Sequence, residues 1–410
     1  MMKRLCSIIL AAALLLTGCA GSPKPLRAKT SVTQPPAPSP AVDGALTDMG
    51  LSLLAELRAK GEENPLLSPL SIGLALSMTA NGADGDTLAE LEALLGGEAA
   101  LEELNAACAG YLEEYENLGG STQAAIANSL WADPGGLVKD EFVAKCQDIF
   151  RAEVFQQSLS SPSIVGALNG WVSEKTNKLI PEIIQKPFEK NTAVLLVNAL
   201  YLKNKWAVPF DPLGTYPMDF YHQENAPERM DFLNKGETKM LYISSGDVQG
   251  VVLPYDDGRL GFFALMPDVS YGLDPFLADQ TGASFSALLL SAEETMFLRL
   301  ALPKLQVEWS GQLEELLPKL GAELAFQRGA ADFSQMGDSA EGYYISQVIH
   351  AAKIEVNEKG TEAAAATVVA APSGACPPPE EGVTLILDHP FVYGICDLNT
   401  GLPLFLGVFA

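Results

Sequence analysis

The chain has little of what catalysis and metal binding require. Histidine occurs only three times, as His222, His350 and His389. No G-x-S-x-G, H-E-x-x-H, G-x-x-x-x-G-K or dinucleotide fingerprint is present. Cysteine is also scarce: Cys6, Cys19, Cys108, Cys146, Cys376 and Cys396, with no C-x-x-C spacing. At this length that excludes a disulfide scaffold and argues against a zinc site. Cys376 sits in a Pro-rich loop, which gives a thiol nucleophile no rigid setting. Nothing singles out one carboxylate pair. The sequence therefore predicts no enzyme, no metal and no cofactor.

Basic residues are few as well, 26 against 51 acidic ones, for a net charge of −25. Such acidity argues against nucleic acid and against anionic membrane surfaces as partners. No Lys or Arg occurs from Gly61 to Val138, where Glu90, Glu92, Glu98, Glu102, Glu103, Glu113, Glu114 and Glu116 accumulate, and none follows Gly360. Apolar residues make up 48% of the chain, enough for a core in one large domain or two ordinary ones.

The N-terminus reads as an address. Lys3 and Arg4 precede an apolar run, 8–16, too short to span a bilayer. It ends in Leu16-Thr17-Gly18-Cys19, which resembles a bacterial lipobox. That resemblance implies a signal peptide over 1–18 and a lipidated Cys19 as the first mature residue. Loss of Lys3 and Arg4 would take the net charge from −25 to −27. Several acyl chains anchor stably where one does not. Residues 19–44, with Pro23, Pro25, Pro35, Pro36, Pro38 and Pro40, read as a disordered tether. The body, 45–410, is expected on the extracellular side of a bacterial membrane, at the cell surface or the periplasmic face.

Periodicity predicts helices at 45–60, 74–78, 139–150, 164–179 and 313–320. It predicts strands at 124–131, 193–202, 250–255, 261–267, 297–303, 345–351, 384–387, 389–395 and 404–408. Strands and helices mix without strict βαβ alternation, so the class is α+β. Asn198 and His350 are polar residues inside apolar strands and must be hydrogen-bonded. Alone, His350 reads as a satisfied core histidine, and Ser68 and Ser71 as helix caps.

The stretch 355–371 is the most unusual. After Gly360 it runs through Thr361, Glu362, Ala363, Ala364, Ala365, Ala366 and Thr367-Val-Val-Ala-Ala371, with no proline until Pro372. With a period of two, both faces are small or β-branched, so the stretch could slide beneath other elements as a strand. Taken alone, its four alanines also suit a helix, against which Thr367-Val368-Val369 argues. Both readings stay open from local sequence.

The hinge from Glu358 to Ala366 resembles the reactive-centre hinge of inhibitory serpins. Three further segments share the resemblance: Asn64-Pro-Leu-Leu-Ser68-Pro-Leu-Ser71, Asn169-Gly-Trp171, and Lys203-Asn-Lys-Trp206 with Pro209-Phe210-Asp211. It implies a serpin fold of three β-sheets and about nine helices in one domain, 45–410, with an exposed loop at 358–383. It further implies that Ser68, Ser71, Asn198 and His350 converge beneath the main sheet, with Trp206 at its top. The implied activity is suicide inhibition of a protease, the sole covalent partner, by a monomer. The glutamates of 90–116 stand where some serpins carry a basic helix, so heparin is not expected. Counting from the hinge puts the scissile bond at Gly374–Ala375, whereas counting back from Pro390-Phe391 lands near Pro379. Small residues there favour elastase-like or subtilisin-like enzymes. The alternatives are inhibition of papain-like cysteine proteases and a non-inhibitory surface binding protein on the same fold.

Overall fold

The computed structural model describes residues 23–222, 225–361 and 382–410. They form eight α-helices: α1 (Pro40–Ala59), α2 (Pro69–Ala80), α3 (Gly85–Gly96), α4 (Leu101–Glu116), α5 (Asp140–Asp148), α6 (Ser163–Lys175), α7 (Leu273–Asp279) and α8 (Gly282–Leu290). The strands are β1 (Leu66–Leu67), β2 (Gln123–Ala132), β3 (Gly136–Val138), β4 (Glu153–Gln156), β5 (Val194–Lys205), β6 (Tyr216–Phe220), β7 (Glu228–Lys235), β8 (Thr238–Ser245) and β9 (Val248–Pro254). They continue as β10 (Leu260–Pro267), β11 (Glu293–Pro303), β12 (Leu305–Gln312), β13 (Gly337–Ser339), β14 (Ile345–Asn357), β15 (Gly360–Thr361), β16 (Val383–Ile386), β17 (Phe391–Asp397) and β18 (Pro403–Phe409).

Three sheets result. The main one has six strands in the order β12-β14-β15-β5-β2-β4. The second follows β1-β18-β17-β10-β9-β8-β11-β7-β6, with β16 alongside β11, and β13 pairs with β3. The α+β architecture expected from the sequence is thus present. Every residue of α2 is buried, and α2 packs on β18 of one sheet and on β2 and β5 of the other. A helix between two sheets has no solvent face, which is why its sequence is apolar all round. The outer face of the main sheet is covered by α6 through Ile164, Leu168 and Val172 against Leu195, Val197 and Ile349. On the far side α7 and α8 cover the second sheet through Phe276 and Phe285.

Several local expectations need correction. α1 starts at Pro40 rather than residue 45, because Ser39 accepts from the amide of Val42 at 3.3 Å and Pro40 occupies the first turn, where its missing N–H costs nothing. Residues 23–39 are not a loose tether. Leu26 N–H donates to Val154 O at 2.7 Å, Ala37 N–H donates to Ala106 O at 3.1 Å, and Leu26 and Val32 pack on the core. The carboxylates of Asp140 and Asp148 accept the amides of Lys29 and Val32. Proline favours extended backbone, and here that extended chain finds an edge strand to lie against. The helix expected over 313–320 is only a 3-10 turn at Leu317–Leu320, where Pro318 has no amide to donate. α6 stops at Lys175, and Asn177 and Lys178 then take positive φ.

One buried charge ties the second sheet to α4. Asp397 is fully buried and accepts Arg259 Nε at 2.6 Å and the Tyr115 hydroxyl at 3.0 Å. Arg259 also reaches the exposed Glu114 at 2.8 Å. Replacing Arg259 by Leu removes the partner of a buried carboxylate and should cost about 2–3 kcal/mol, whereas Glu114→Gln should cost under about 1 kcal/mol. Thermal unfolding of the two variants tests this: equal midpoints would contradict the assignment.

Candidate functional site

The chemistry-bearing residues gather along the seam between β5 and β14. At its lower end these strands pair directly and in parallel, from Ile345 opposite Val194 to Ala351 opposite Ala199. Among the described residues the direct pairing goes no higher. At the top, β15 lies between them, with Thr361 opposite Val356 on one side and Asn204 on the other. Two strands that touch below are therefore two strand spacings apart above, roughly 10 Å.

The closed part is pinned from below by α2. Asn128, Asn198 and His350 are in register across β2, β5 and β14. The Ser68 amide donates to His350 Nε2 at 3.0 Å, so Nδ1 carries the proton and donates to Asn198 Oδ1 at 3.3 Å. Asn198 Oδ1 also accepts the Ser71 hydroxyl at 2.5 Å. Asn198 Nδ2 donates to Ser71 O at 2.9 Å and to Asn128 Oδ1 at 2.5 Å. Ser68 caps α2 by accepting the Ser71 amide at 3.2 Å. All five residues are buried. Burial disfavours the imidazolium and pulls the pKa of His350 down to about 3.

The open part is held by an aromatic cluster. Trp206 stacks on Tyr255 with ring centroids 4.9 Å apart and meets Phe210 and Phe262 edge-on. Its indole N–H donates to Asn357 O at 2.8 Å and its amide to Lys359 O at 3.0 Å. Phe210 N–H donates to Glu358 O at 2.8 Å. Together these fix the turn that leads from β14 into β15. The Glu358 carboxylate accepts Lys304 Nζ at 3.1 Å and the Thr215 hydroxyl at 2.9 Å. Burial alone would raise its pKa, but these bonds, with a backbone one, outweigh burial and lower it. Gly360 has φ +153°, and a Cβ there would lie 2.0 Å from Asn204 O, so no other residue fits. Thr361 is 2% exposed, with its hydroxyl 2.5 Å from that of Tyr255.

Ser68, Ser71, Asn198 and His350 thus form one network, and Trp206, Glu358, Gly360 and Thr361 meet at the other end of the same seam. Glu362, Ala363, Ala364, Ala365, Ala366, Gly374, Ala375, Cys376 and Cys19 lie outside the described residues. Cys108, Cys146 and Cys396 are buried free thiols. Asn128 and Tyr255 went unnoticed in the sequence. Asn128 carried the same signal as Asn198, a lone amide in an apolar strand. Tyr255 carried none, since only the fold brings it to Thr361.

The Serpin (serine protease inhibitor) family model matches residues 44–410. Serpin-Z2B of Triticum aestivum is 33% identical over 361 residues, spanning 84% of this chain and 89% of that protein. Putative serpin-Z5 of Oryza sativa subsp. japonica is 30% identical, spanning 91% of each. Among solved structures, the thermophilic serpin tengpin in its native state superposes with a TM-score of 0.84 at 31% identity, covering 93% of this chain and 97% of that one. Tengpin in its latent state gives 0.77 at 29% identity, covering 92% and 99%. The chain is therefore more similar to the native arrangement than to the latent one.

His350 gives the seam a pH signature. Its folded pKa, about 3, lies below the unfolded value of about 6.5, so the unfolded chain binds the extra proton between those limits. Its contribution to stability is present above about pH 6.5 and lost as pH falls toward 3. Between pH 7 and 5 the loss should be about 2 kcal/mol. His350→Gln should flatten that part of the pH–stability curve relative to the unaltered chain. Parallel curves for the two would contradict the buried neutral imidazole.

Proposed function

The chain belongs to the serpin family, and from that premise we propose that it is a suicide inhibitor of extracellular serine proteases. Serpins generally act as protease inhibitors and not as catalysts, and the finer assignment rests on the seam. Its upper half already admits the first residues of the loop as a strand, and its lower half is closed by a polar network at Asn198 and His350.

The register supports how far insertion would run. Thr361 lies opposite Asn204 and Val356, and continuing the same antiparallel register brings Ala371 opposite Val194 and Ser346. Val194 is the first residue of β5 and Ser346 the second of β14. The next loop residue is Pro372, which has no amide to donate. The stretch 361–371 is therefore as long as the seam. With a net contribution of about 1 kcal/mol per backbone hydrogen bond, a full new strand amounts to about 10 kcal/mol, comparable to the stability of a typical domain.

In this reading a target protease attacks the bond Gly374–Ala375. Its serine oxygen forms an ester with the Gly374 carbonyl, the amine of Ala375 departs, and the proton passes through the protease's own base. The freed strand enters the seam and displaces the β5–β14 pairs below, including the His350–Asn198 contact. Ser68, Ser71, Asn128, Asn198 and His350 then serve as the latch, and Trp206 with Tyr255 as the guide. Small residues at 373–375 suit elastase-like or subtilisin-like pockets. Acidic α3 and α4 leave no basic helix for heparin. The lipid on Cys19 would hold the monomer on the outer side of a membrane.

Mixing the soluble body with pancreatic elastase or subtilisin should yield an adduct that survives denaturing gel electrophoresis. Thr361→Arg places a long charged side chain at a buried site. That variant should still be cleaved while its adduct falls at least tenfold. Cleavage of the unaltered body without an adduct by every serine protease tested would favour a non-inhibitory binding protein. An adduct with papain alone would shift the target to cysteine proteases.

A further inference from the structure

A cavity of about 290 Å³ opens beside the aromatic cluster that holds the turn into β15. It lies where the end of β5 meets β7, β8 and β9 of the second sheet. Trp206 and Phe210 form one part of its wall, and Met240, Val252 and Leu253 another. The lining is mostly apolar, and the volume is near the lower end of the small-molecule range.

One charge stands in that wall. Lys235, the last residue of β7, lines the cavity. Its Nζ donates to Val208 O at 2.5 Å and sits 4.9 Å from the centroid of the Phe210 ring. A carbonyl and a ring hold the ammonium in place without neutralising it, and among the described residues it makes no ion pair. The other half-buried cations Lys175, Arg259, Lys304 and Lys353 each meet a carboxylate within 3.3 Å. The remaining charges on the lining, Lys239 and Glu294, are exposed and pair with each other at 3.3 Å. Burial pulls the pKa of Lys235 down to about 8, and no carboxylate offsets that pull. At pH 7 the group is still mostly an ammonium.

An uncompensated cation against apolar side chains is unfavourable, and an anion placed there relieves it. Nζ has three donors, so it can accept a new partner while keeping Val208 O. Allowing about 30 Å³ for each water-sized group, the cavity takes roughly ten heavy atoms. We infer that it binds a fatty monocarboxylate of about eight carbons, with the carboxylate on Lys235 Nζ and the chain against Trp206, Met240, Val252 and Leu253. Such an occupant touches the side chains that fix the turn into β15 and stabilises the folded body by binding it. The site stands whether or not the loop traps a protease.

Octanoate is the probe. Added to the soluble body, it should change tryptophan fluorescence saturably, because Trp206 lines the cavity, and it should raise the thermal midpoint. Octylamine, with the same chain and the opposite charge, should do neither at the same concentration. Lys235→Met keeps most of the stem and removes the charge. It should weaken octanoate at least tenfold and leave the binding of uncharged octanol within about twofold, which also shows that the variant's cavity is intact. Octanoate binding that is absent, equalled by octylamine, or undiminished in Lys235→Met overturns the inference.

Discussion

Two parallel strands, β5 and β14, are joined along their lower rungs and wedged apart at their upper ones, and the rest of the molecule is arranged around that partial closure. α2 supports the closed rungs from inside through Ser68 and Ser71. α6 covers them from outside. The Trp206–Tyr255 stack holds the wedge, Gly360 and Thr361, in place. A hydrocarbon seam of the same shape would close as well, but nothing in it would hold the strands in one register. The Asn198 amide reaches both the Asn128 side-chain oxygen and the His350 imidazole only when the three strands are aligned.

The same polarity makes the seam separable. Parting β5 from β14 by one strand spacing would take His350 out of reach of Asn198, and on the proposed reading the small residues of 361–371 would enter there without overpacking the core beneath. On the proposed reading, stability and inhibition would be linked through one set of rungs: loosening the closed pairs would favour insertion, and filling the open ones early would use up the loop.

Much of this was legible in the sequence because it lay in short, unusual strings. A lone histidine and a lone asparagine in apolar strands announce buried polar contacts, whereas the run of alanines after Gly360 lies outside the described residues. What stayed hidden depended on partners far away in sequence. Asn128 looked like an incidental polar residue until it lined up with Asn198. Tyr255 ended an ordinary strand until Thr361 arrived beside it. Segment 23–39 looked like a spacer because its prolines forbid a helix, and nothing local reveals that Val154 and Asp148 await it.

The central claim is that the native body stops short of its most stable arrangement because one strand is missing from its main sheet. Nicking the loop with a protease that forms no lasting adduct, then comparing thermal unfolding of cut and uncut body, tests it most directly. The account predicts that the cut body melts far higher, by tens of degrees, since about 10 kcal/mol of strand pairing is added. A cut body that melts at or below the temperature of the intact one would contradict it.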